Sequence, residues 1–363
     1  MSTLDDPIIH YGSALGTIGA ERGYGQLVSL TQRFEWPNKK RLRGESSRLD
    51  ALASKRAIEL VRLDLAQQAS SLFNTYYVAH RTLEINREHS ELVQRFKKSA
   101  EAQYASGKSA QQDALEAEVE LAMLQKDQLQ IKAEIKVITA QLNSLLHRAP
   151  DSILSPPPNR LAHINLSKQP LPAMRASAVQ DRPELKIIAN QIVSAEHKLT
   201  LAELSGYPDL DLTGTYNSMW SHPEHQFMVG LSLTIPIHTD VTQARVDQAH
   251  ATLLRLKALN QSQRNQITTE VYKARVKLQE AIERMELYRD QLLPAAKRLI
   301  LASEFGYQSG KGSFSSIMSA EHRLRSFKKE YEEAIAQTWD REANLSRALG
   351  KVFLDKDLGR VSP

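Results

Sequence analysis

Apolar residues recur at alternating steps of three and four over long parts of the chain. One series begins at Ile58, a second at Leu124 and a third at Ile267. A repeat of seven residues is typical of helices that pack against one another as coiled coils. The pattern therefore predicts long helices whose apolar side chains form narrow seams.

Proline and glycine positions indicate how long these helices are. No proline lies between Pro37 and Pro150, and Pro294 is the only proline or glycine between Ile237 and Phe305. Both residue types are costly inside a helix. Pro294 either bends a helix or marks its end. We predict helices over residues 39–99, 110–148, 183–205, 240–304 and 314–349, the first and fourth roughly 90–100 Å long.

Other segments alternate apolar and polar residues with a period of two. The clear ones cover residues 24–35, 209–220 and 227–237, and a weaker one lies around residues 9–15. The clear segments have about the length of a tilted strand that crosses a bilayer with its apolar side chains outward. A sheet packed on a protein core is the commoner source of such alternation. Here, however, the helices direct their apolar seams toward one another and leave no element to cover the strands.

We therefore expect one side of these strands to face lipid. The side chains predicted there are Tyr24, Val28, Leu30, Phe34, Leu210, Leu212, Tyr216, Trp220, Phe227, Val229, Leu231, Leu233 and Ile235.

A short motif occurs twice, 203 residues apart. Tyr104, Gly107 and Lys108 in the first copy correspond to Tyr307, Gly310 and Lys311 in the second, and Ala-Glu and Leu follow at the same spacing in both. Each glycine falls between two predicted helices, where a tight turn needs a non-helical residue. The chain is predicted to be a tandem duplication of a strand pair, a long helix, a tight turn and a returning helix.

Composition excludes several classes of protein. The 363 residues include no cysteine, so a disulfide framework and a thiolate metal site are both excluded. No run approaches 18 apolar residues, which predicts no transmembrane helix. The net charge of +5 is too small and too dispersed to indicate a nucleic-acid partner. Because the sequence has neither a glycine-rich phosphate loop nor an HExxH motif, we expect no enzyme activity and no cofactor.

In several segments the sequence resembles the TolC-like outer membrane efflux proteins. The resemblance covers nearly the whole chain and includes both Tyr-x-x-Gly turns. The other segments that carry it are Val28–Phe34 with Lys39–Arg41, Arg182–Leu185, Tyr207–Leu210, and Gly230–Leu233 with Ile235–Ile237. The Lys-Arg form of the first strand-to-helix junction is most similar to the cobalt/zinc/cadmium-resistance branch.

The resemblance implies a mainly α-helical fold with a β-barrel portion. Three chains, each with four transmembrane strands, would form a 12-stranded barrel in the outer membrane, and the helical hairpins would form a tunnel in the periplasm. The implied partners are two further copies of the chain, a periplasmic membrane-fusion adaptor, an inner-membrane RND-type pump and outer membrane lipid. The implied function is the exit duct of a tripartite efflux system for heavy-metal cations. A duct for drugs or other small molecules and a soluble coiled-coil adaptor remain the alternatives.

Family members carry a signal sequence and a further helix before the first strand, so we expect this sequence to be truncated at its N-terminus.

The family pattern divides the chain into seven parts. The predicted parts are a first strand pair (1–36), a first helical hairpin (37–149), an equatorial linker (150–182), an ascending helix (183–206), a second strand pair (207–238), a second helical hairpin (239–350) and a tail (351–363).

Two groups of residues are candidate sites. At the periplasmic tip, the family pattern places an acid at Asp113 and an aromatic residue at Tyr307, which would form a breakable hydrogen bond; solvated turn residues are the alternative. The other predicted tip residues are Tyr104, Gly107, Gly310, Ser316 and Ser319. Serines replace the acids of some drug-exporting members, so a carboxylate cation filter is not expected. His222 and His225 are weak metal candidates, because His-x-x-His in a loop is a loose spacing.

Overall fold

A computed structural model describes residues 5–14, 25–161, 164, 169–220 and 222–352. Its strands and helices follow in the order β1 (Ile8–Ala14), β2 (Gly25–Phe34), α1 (Lys39–Ala105), α2 (Gln111–Leu145), α3 (Leu171–Asp181), α4 (Pro183–Leu204), β3 (Asp209–Asn217), β4 (Phe227–Thr234), α5 (Thr239–Leu287), α6 (Leu293–Gln308) and α7 (Phe314–Ala348). A short 3₁₀ turn, Pro223–His225, lies between β3 and β4. We call α1 with α2 the first hairpin, and α5 to α7 the second hairpin.

The long helices are present, with small differences at their ends. α1 continues to Ala105, six residues beyond the predicted end, and α2 ends at Leu145, three residues earlier than predicted. Within residues 150–182, predicted as an equatorial linker, the structure contains α3, a helix that was not among the predicted ones. Pro170 and Pro172 at its start are a helix-start signal, but only Met174 and Ala178 are buried, which is too short a pattern to recognise.

The helical backbone changes its hydrogen-bond pattern just before Pro294 but stays helical on both sides. A π-helical turn, Tyr288–Leu292, separates α5 from α6, and the backbone angles of Leu287 and Leu293 on either side are helical. Proline has no N–H and its ring clashes with the carbonyl four residues earlier. In a π-helical turn the hydrogen bonds join residues five apart instead of four, which accommodates the missing N–H and the proline ring. Pro294 therefore lies in the first turn of a helix that continues.

The strands form one antiparallel sheet in the order β1-β2-β3-β4. The pairing of β2 with β3 joins distant parts of the sequence, with Val28 opposite Tyr216 and Leu30 opposite Gly214. β1 pairs with β2 at Tyr11 and Val28, and β3 pairs with β4 at Tyr216 and Phe227. The register keeps side chains of one polarity on one face, because alternate residues of a strand point to opposite faces.

The chain divides into two compact units. The first comprises residues 1–59 and 183–265, and the second comprises residues 60–182 and 266–363. The first unit contains the sheet and a helical core around Ala195, Leu253 and Leu256. The second unit contains both hairpin turns. Its core near these turns consists of Val93, Ala100, Ala117, Leu124, Tyr307, Phe314, Ile317 and Met318.

In the described part of the chain, no helix combines the length and the apolarity that a membrane span requires.

Candidate functional site

One face of the sheet carries apolar side chains that are exposed. On β4, Phe227 is 75% exposed, Val229 is 78% exposed and Leu231 is 68% exposed. The register continues this face across the sheet, because Phe227 lies opposite Tyr216 and Tyr216 opposite Val28. A contiguous exposed apolar patch marks a surface that contacts another protein or a membrane.

The opposite face of the sheet is polar. Thr31 and Thr213 lie opposite each other, and their hydroxyl oxygens are 2.9 Å apart. Arg33 forms an ion pair of 3.0 Å with Asp209. Cross-strand pairs of this kind stabilise a sheet. The sheet thus has one apolar and one polar face, as expected for strands between lipid and water.

Most of the predicted lipid-facing residues lie on the apolar face. Two of them, Leu210 and Tyr216, are half-buried, and Tyr24 lies outside the described residues. Those that are exposed on β2, β3 or β4 are Val28, Leu30, Phe34, Leu212, Phe227, Val229, Leu231 and Leu233.

Two predicted strand residues lie beyond the ends of their strands. Trp220 is exposed but follows β3, which ends at Asn217. The side chain of Asn217 accepts a hydrogen bond of 3.0 Å from the backbone N–H of Met219, a turn that competes with the strand. Ile235 follows β4, which ends at Thr234. It precedes a proline, and proline cannot donate to the ladder of hydrogen bonds.

Asp209 connects the start of β3 to the start of α1. Its Oδ1 accepts hydrogen bonds from Lys39 Nζ at 2.8 Å and from the backbone N–H of Trp36 at 2.9 Å. Lys39 also donates to the carbonyl of Tyr207 at 2.9 Å, and it is buried. The rings of Trp36 and Tyr207 are stacked with their centroids 5.0 Å apart.

Carboxylates offset the positive charge at the start of α1. Arg43 donates to both oxygens of Glu35, at 2.9 and 2.7 Å. Arg41 donates to Glu45 at 3.1 Å. A positive charge at a helix N-terminus opposes the helix dipole. These acids therefore reduce an unfavourable interaction at the start of α1.

The two Tyr-x-x-Gly turns have matching backbone geometry. Gly107 and Gly310 both have a φ of 70°. The N–H of Gly107 donates to the carbonyl of Tyr104 at 2.9 Å, and the N–H of Gly310 donates to the carbonyl of Tyr307 at 3.0 Å. A Cβ atom at either glycine would meet nothing within 4 Å. Backbone conformation, and not space, is therefore the reason for glycine at both positions.

The structure brings Tyr307 and Asp113 together between the two hairpins. The Tyr307 hydroxyl on α6 donates to Asp113 Oδ2 on α2 at 2.9 Å. Tyr307 is buried, and its ring lies edge-on to that of Phe314. Burial and, after it, the hydrogen bond to Asp113 raise the pKa of the Tyr307 hydroxyl. Tyr104, at the corresponding place in the first turn, is 49% exposed.

Ser316 and Ser319 both lie near the start of α7. The hydroxyl of Ser313 caps this helix and accepts a hydrogen bond of 3.2 Å from the N–H of Ser316. Ser319 lines a cavity of about 940 Å³ together with residues of α1 and α2.

His222 and His225 lie close together, but they are not part of a cluster of three potential metal ligands among the described residues. Their ring centroids are 5.9 Å apart, and His222 is 3.6 Å from Glu224. Among the described residues, the one cluster of three potential metal-ligand atoms lies elsewhere, at Glu120, Glu321 and His322.

The polar contacts between the hairpins were not predicted from the sequence. The His89 ring contacts Glu321, and both side chains are fully buried. Arg325 donates to Asp127 at 2.6 Å. Asn86 continues the three-and-four spacing after Leu83, so a polar residue at a seam position was the available signal.

Comparison with known proteins identifies the class to which this fold and sheet belong. Residues 175–351 match the family model described as outer membrane efflux protein. The chain is 19% identical over 291 residues to the cobalt-zinc-cadmium resistance protein CzcC of Cupriavidus metallidurans, covering 80% of this chain and 69% of the relative.

Solved structures show the same fold. The outer membrane protein VceC of Vibrio cholerae matches with a TM-score of 0.80 at 16% identity, covering 97% of this chain and 88% of VceC. CusC, whose structures describe transmembrane channel formation, matches with a TM-score of 0.81 at 16% identity, covering 95% of this chain and 82% of CusC.

The fold is thus that of the outer membrane efflux channels, which are not enzymes. Residues 175–351 carry the match to the outer membrane efflux protein family.

Proposed function

We propose that this chain is the exit duct of a tripartite efflux system that exports heavy-metal cations. The observation that carries the proposal is a sheet with an exposed apolar face, continuous in sequence with two long helical hairpins. The likeness to a cobalt-zinc-cadmium resistance protein supports metal cations as the cargo. In this assignment the strand pairs at 1–36 and 207–238 lie in the outer membrane, and the hairpins at 37–149 and 239–350 lie in the periplasm.

The edges of the sheet support assembly into a trimer. In the described part of the chain, β1 and β4 each pair on one side only. An open edge presents unpaired N–H and C=O groups, and the bilayer core offers no water to satisfy them. Pairing of β4 with β1 of the next copy would close three sheets into a barrel of 12 strands.

The hairpin turns support a gate at the periplasmic end, where the adaptor and the pump would connect. Tyr307 and Asp113 join the two hairpins through one hydrogen bond between a neutral phenol and a carboxylate. Such a contact is strong enough to hold a closed state and weak enough to be broken by a partner. The matching turns at Gly107 and Gly310 support the origin of the hairpins in a tandem duplication.

Metal export can be measured in cells that lack their own metal exporters. The chain is expressed with a cognate adaptor and pump, and the cellular content of zinc, cobalt and cadmium is compared with that of cells carrying only adaptor and pump. We expect the chain to lower the metal content. Equal metal content in both strains would contradict the metal cargo, and lower accumulation of a drug instead would assign the duct to small molecules.

A further inference from the structure

A second cluster of chemistry-bearing residues lies in the second unit, away from the contact between Tyr307 and Asp113. Glu120 on α2 and the neighbouring residues Glu321 and His322 on α7 each offer a ligand atom, and these atoms lie within 4.8 Å of one another. Glu120 is 6% exposed and Glu321 is 0% exposed. The His322 Nε2 atom lies 3.3 Å from Glu120 Oε2.

Polar atoms around this cluster lack hydrogen-bond partners. One oxygen of Glu321 contacts Nδ1 of His89, but its Oε2 is buried without a partner among the described residues. Asn86 lines the same cavity as Glu120 and His322, is 2% exposed, and has no partner for either atom of its amide. Buried polar groups are almost always satisfied. Unsatisfied atoms from two helices beside one cluster indicate a place for a ligand.

The charges near the cluster favour a divalent cation. Arg325 is bound mainly by Asp127, at 2.6 Å, and lies 3.4 Å from Glu120. Asp127, Glu120 and Glu321 supply three carboxylates, and Arg325 supplies one guanidinium. Two negative charges therefore remain around the cluster. A divalent cation would offset the cost of holding these charges together.

We propose that Glu120, Glu321 and His322 bind one divalent cation of the Zn²⁺ type, which joins the first hairpin to the second. Two carboxylates and one imidazole are a ligand set that Zn²⁺ and Co²⁺ accept, with a fourth position for water. His89 is a positioning residue, since its Nδ1 atom contacts Glu321 and orients the carboxylate. This site is independent of the cargo of the duct, because a cation here links helices α2 and α7 and need not be transported.

The internal repeat provides a matched control. Glu118 precedes Glu321 by 203 residues and occupies the corresponding place after the first turn. Its side chain is 63% exposed and pairs with Lys97 at 2.8 Å. Glu118→Gln therefore removes the same charge from the corresponding helix without touching the proposed site.

The test is titration of the chelator-treated, detergent-purified protein with Zn²⁺ by calorimetry and with Co²⁺ by visible absorption. We expect one ion per chain, a rise in melting temperature on binding, and affinity at least tenfold weaker in Glu321→Gln and in His322→Asn. Glu118→Gln and the pair His222→Asn with His225→Asn should bind as the unmodified chain does.

Two results would overturn the site. One is the absence of stoichiometric binding, and the other is binding that survives His322→Asn. His322 is half-exposed, so this variant gives an answer even if Glu321→Gln fails to fold. The test is separate from that of the proposed function, because metal export can succeed or fail whether or not this site binds an ion.

Discussion

The hydrogen bond from Tyr307 to Asp113 joins the two hairpins through one pair of side chains. Tyr307→Phe keeps the buried ring and removes only the donor. A hydrogen bond to a charged group contributes about 1.5–3 kcal/mol when buried, and partial exposure of Asp113 reduces this to ~1–2 kcal/mol. We expect the open state to become roughly five to thirty times more populated, measured as open probability in planar bilayers.

Tyr104→Phe is the control for this variant, because Tyr104 lies at the corresponding turn and is exposed. It should leave the open probability unchanged. Since the pKa of Tyr307 lies above its usual value, the hydroxyl remains a donor through neutral pH, and the effect should be the same at pH 6 and pH 8. Equal open probabilities of Tyr307→Phe and the unmodified chain would remove the gate role.

Substitutions at Gly107 test whether the first turn requires a residue with a positive φ. Asparagine tolerates a positive φ, whereas a β-branched residue does not. We expect Gly107→Val to destabilise the hairpin by about 1–2 kcal/mol and Gly107→Asn to have a much smaller effect, measured as thermal unfolding in detergent. Because there is free space around this position, equal stability of the two variants would contradict the conformational explanation.

At the scale of elements, β4 offers neighbouring residues on opposite faces of the sheet. Leu231 lies opposite Leu212 on the apolar face, and Ser232 lies opposite Asp211 on the polar face. An arginine on the lipid face of a membrane strand costs about 2–4 kcal/mol near the bilayer centre. We therefore expect Leu231→Arg to reduce the folded protein recovered from outer membranes several-fold.

Ser232→Arg introduces the same charge one residue away. If the polar face lines an aqueous lumen, this variant should reach the membrane in normal amount and alter only ion selectivity. The opposite result, with Ser232→Arg lost and Leu231→Arg retained, would mean that the two faces have been assigned the wrong way round.

The sequence predicted the elements better than it predicted their ends. Seven-residue spacing and the absence of proline indicated α1 and α5, because both signals extend over many turns. α3 was missed because its apolar pattern has only two buried positions, Met174 and Ala178. The end of β3 depends on the side-chain turn at Asn217, which alternation of polarity does not reveal.

Contacts between distant helices were predictable only in part. The contact of Tyr307 with Asp113 was expected from the family pattern and not from spacing. The contact of His89 with Glu321, 232 residues apart, was not predicted. A seven-residue repeat indicates which face of a helix is buried, but it does not indicate which residue of which other helix lies opposite.

At the level of the whole molecule, assembly into a trimer depends on the edges of the sheet. Within the described residues, a single chain leaves β1 and β4 each without a partner on one side. It also leaves an apolar face exposed on β4. Assembly in a membrane would satisfy the edges through neighbouring copies and the face through lipid.

The most direct test is the mass of the protein extracted from outer membranes, measured by light scattering with the detergent contribution subtracted. For this measurement the chain is expressed with an export signal. We expect a particle of three chains of 40.8 kDa each, stable only in detergent. A monodisperse particle of one chain that remains folded in the absence of detergent would contradict the proposed channel.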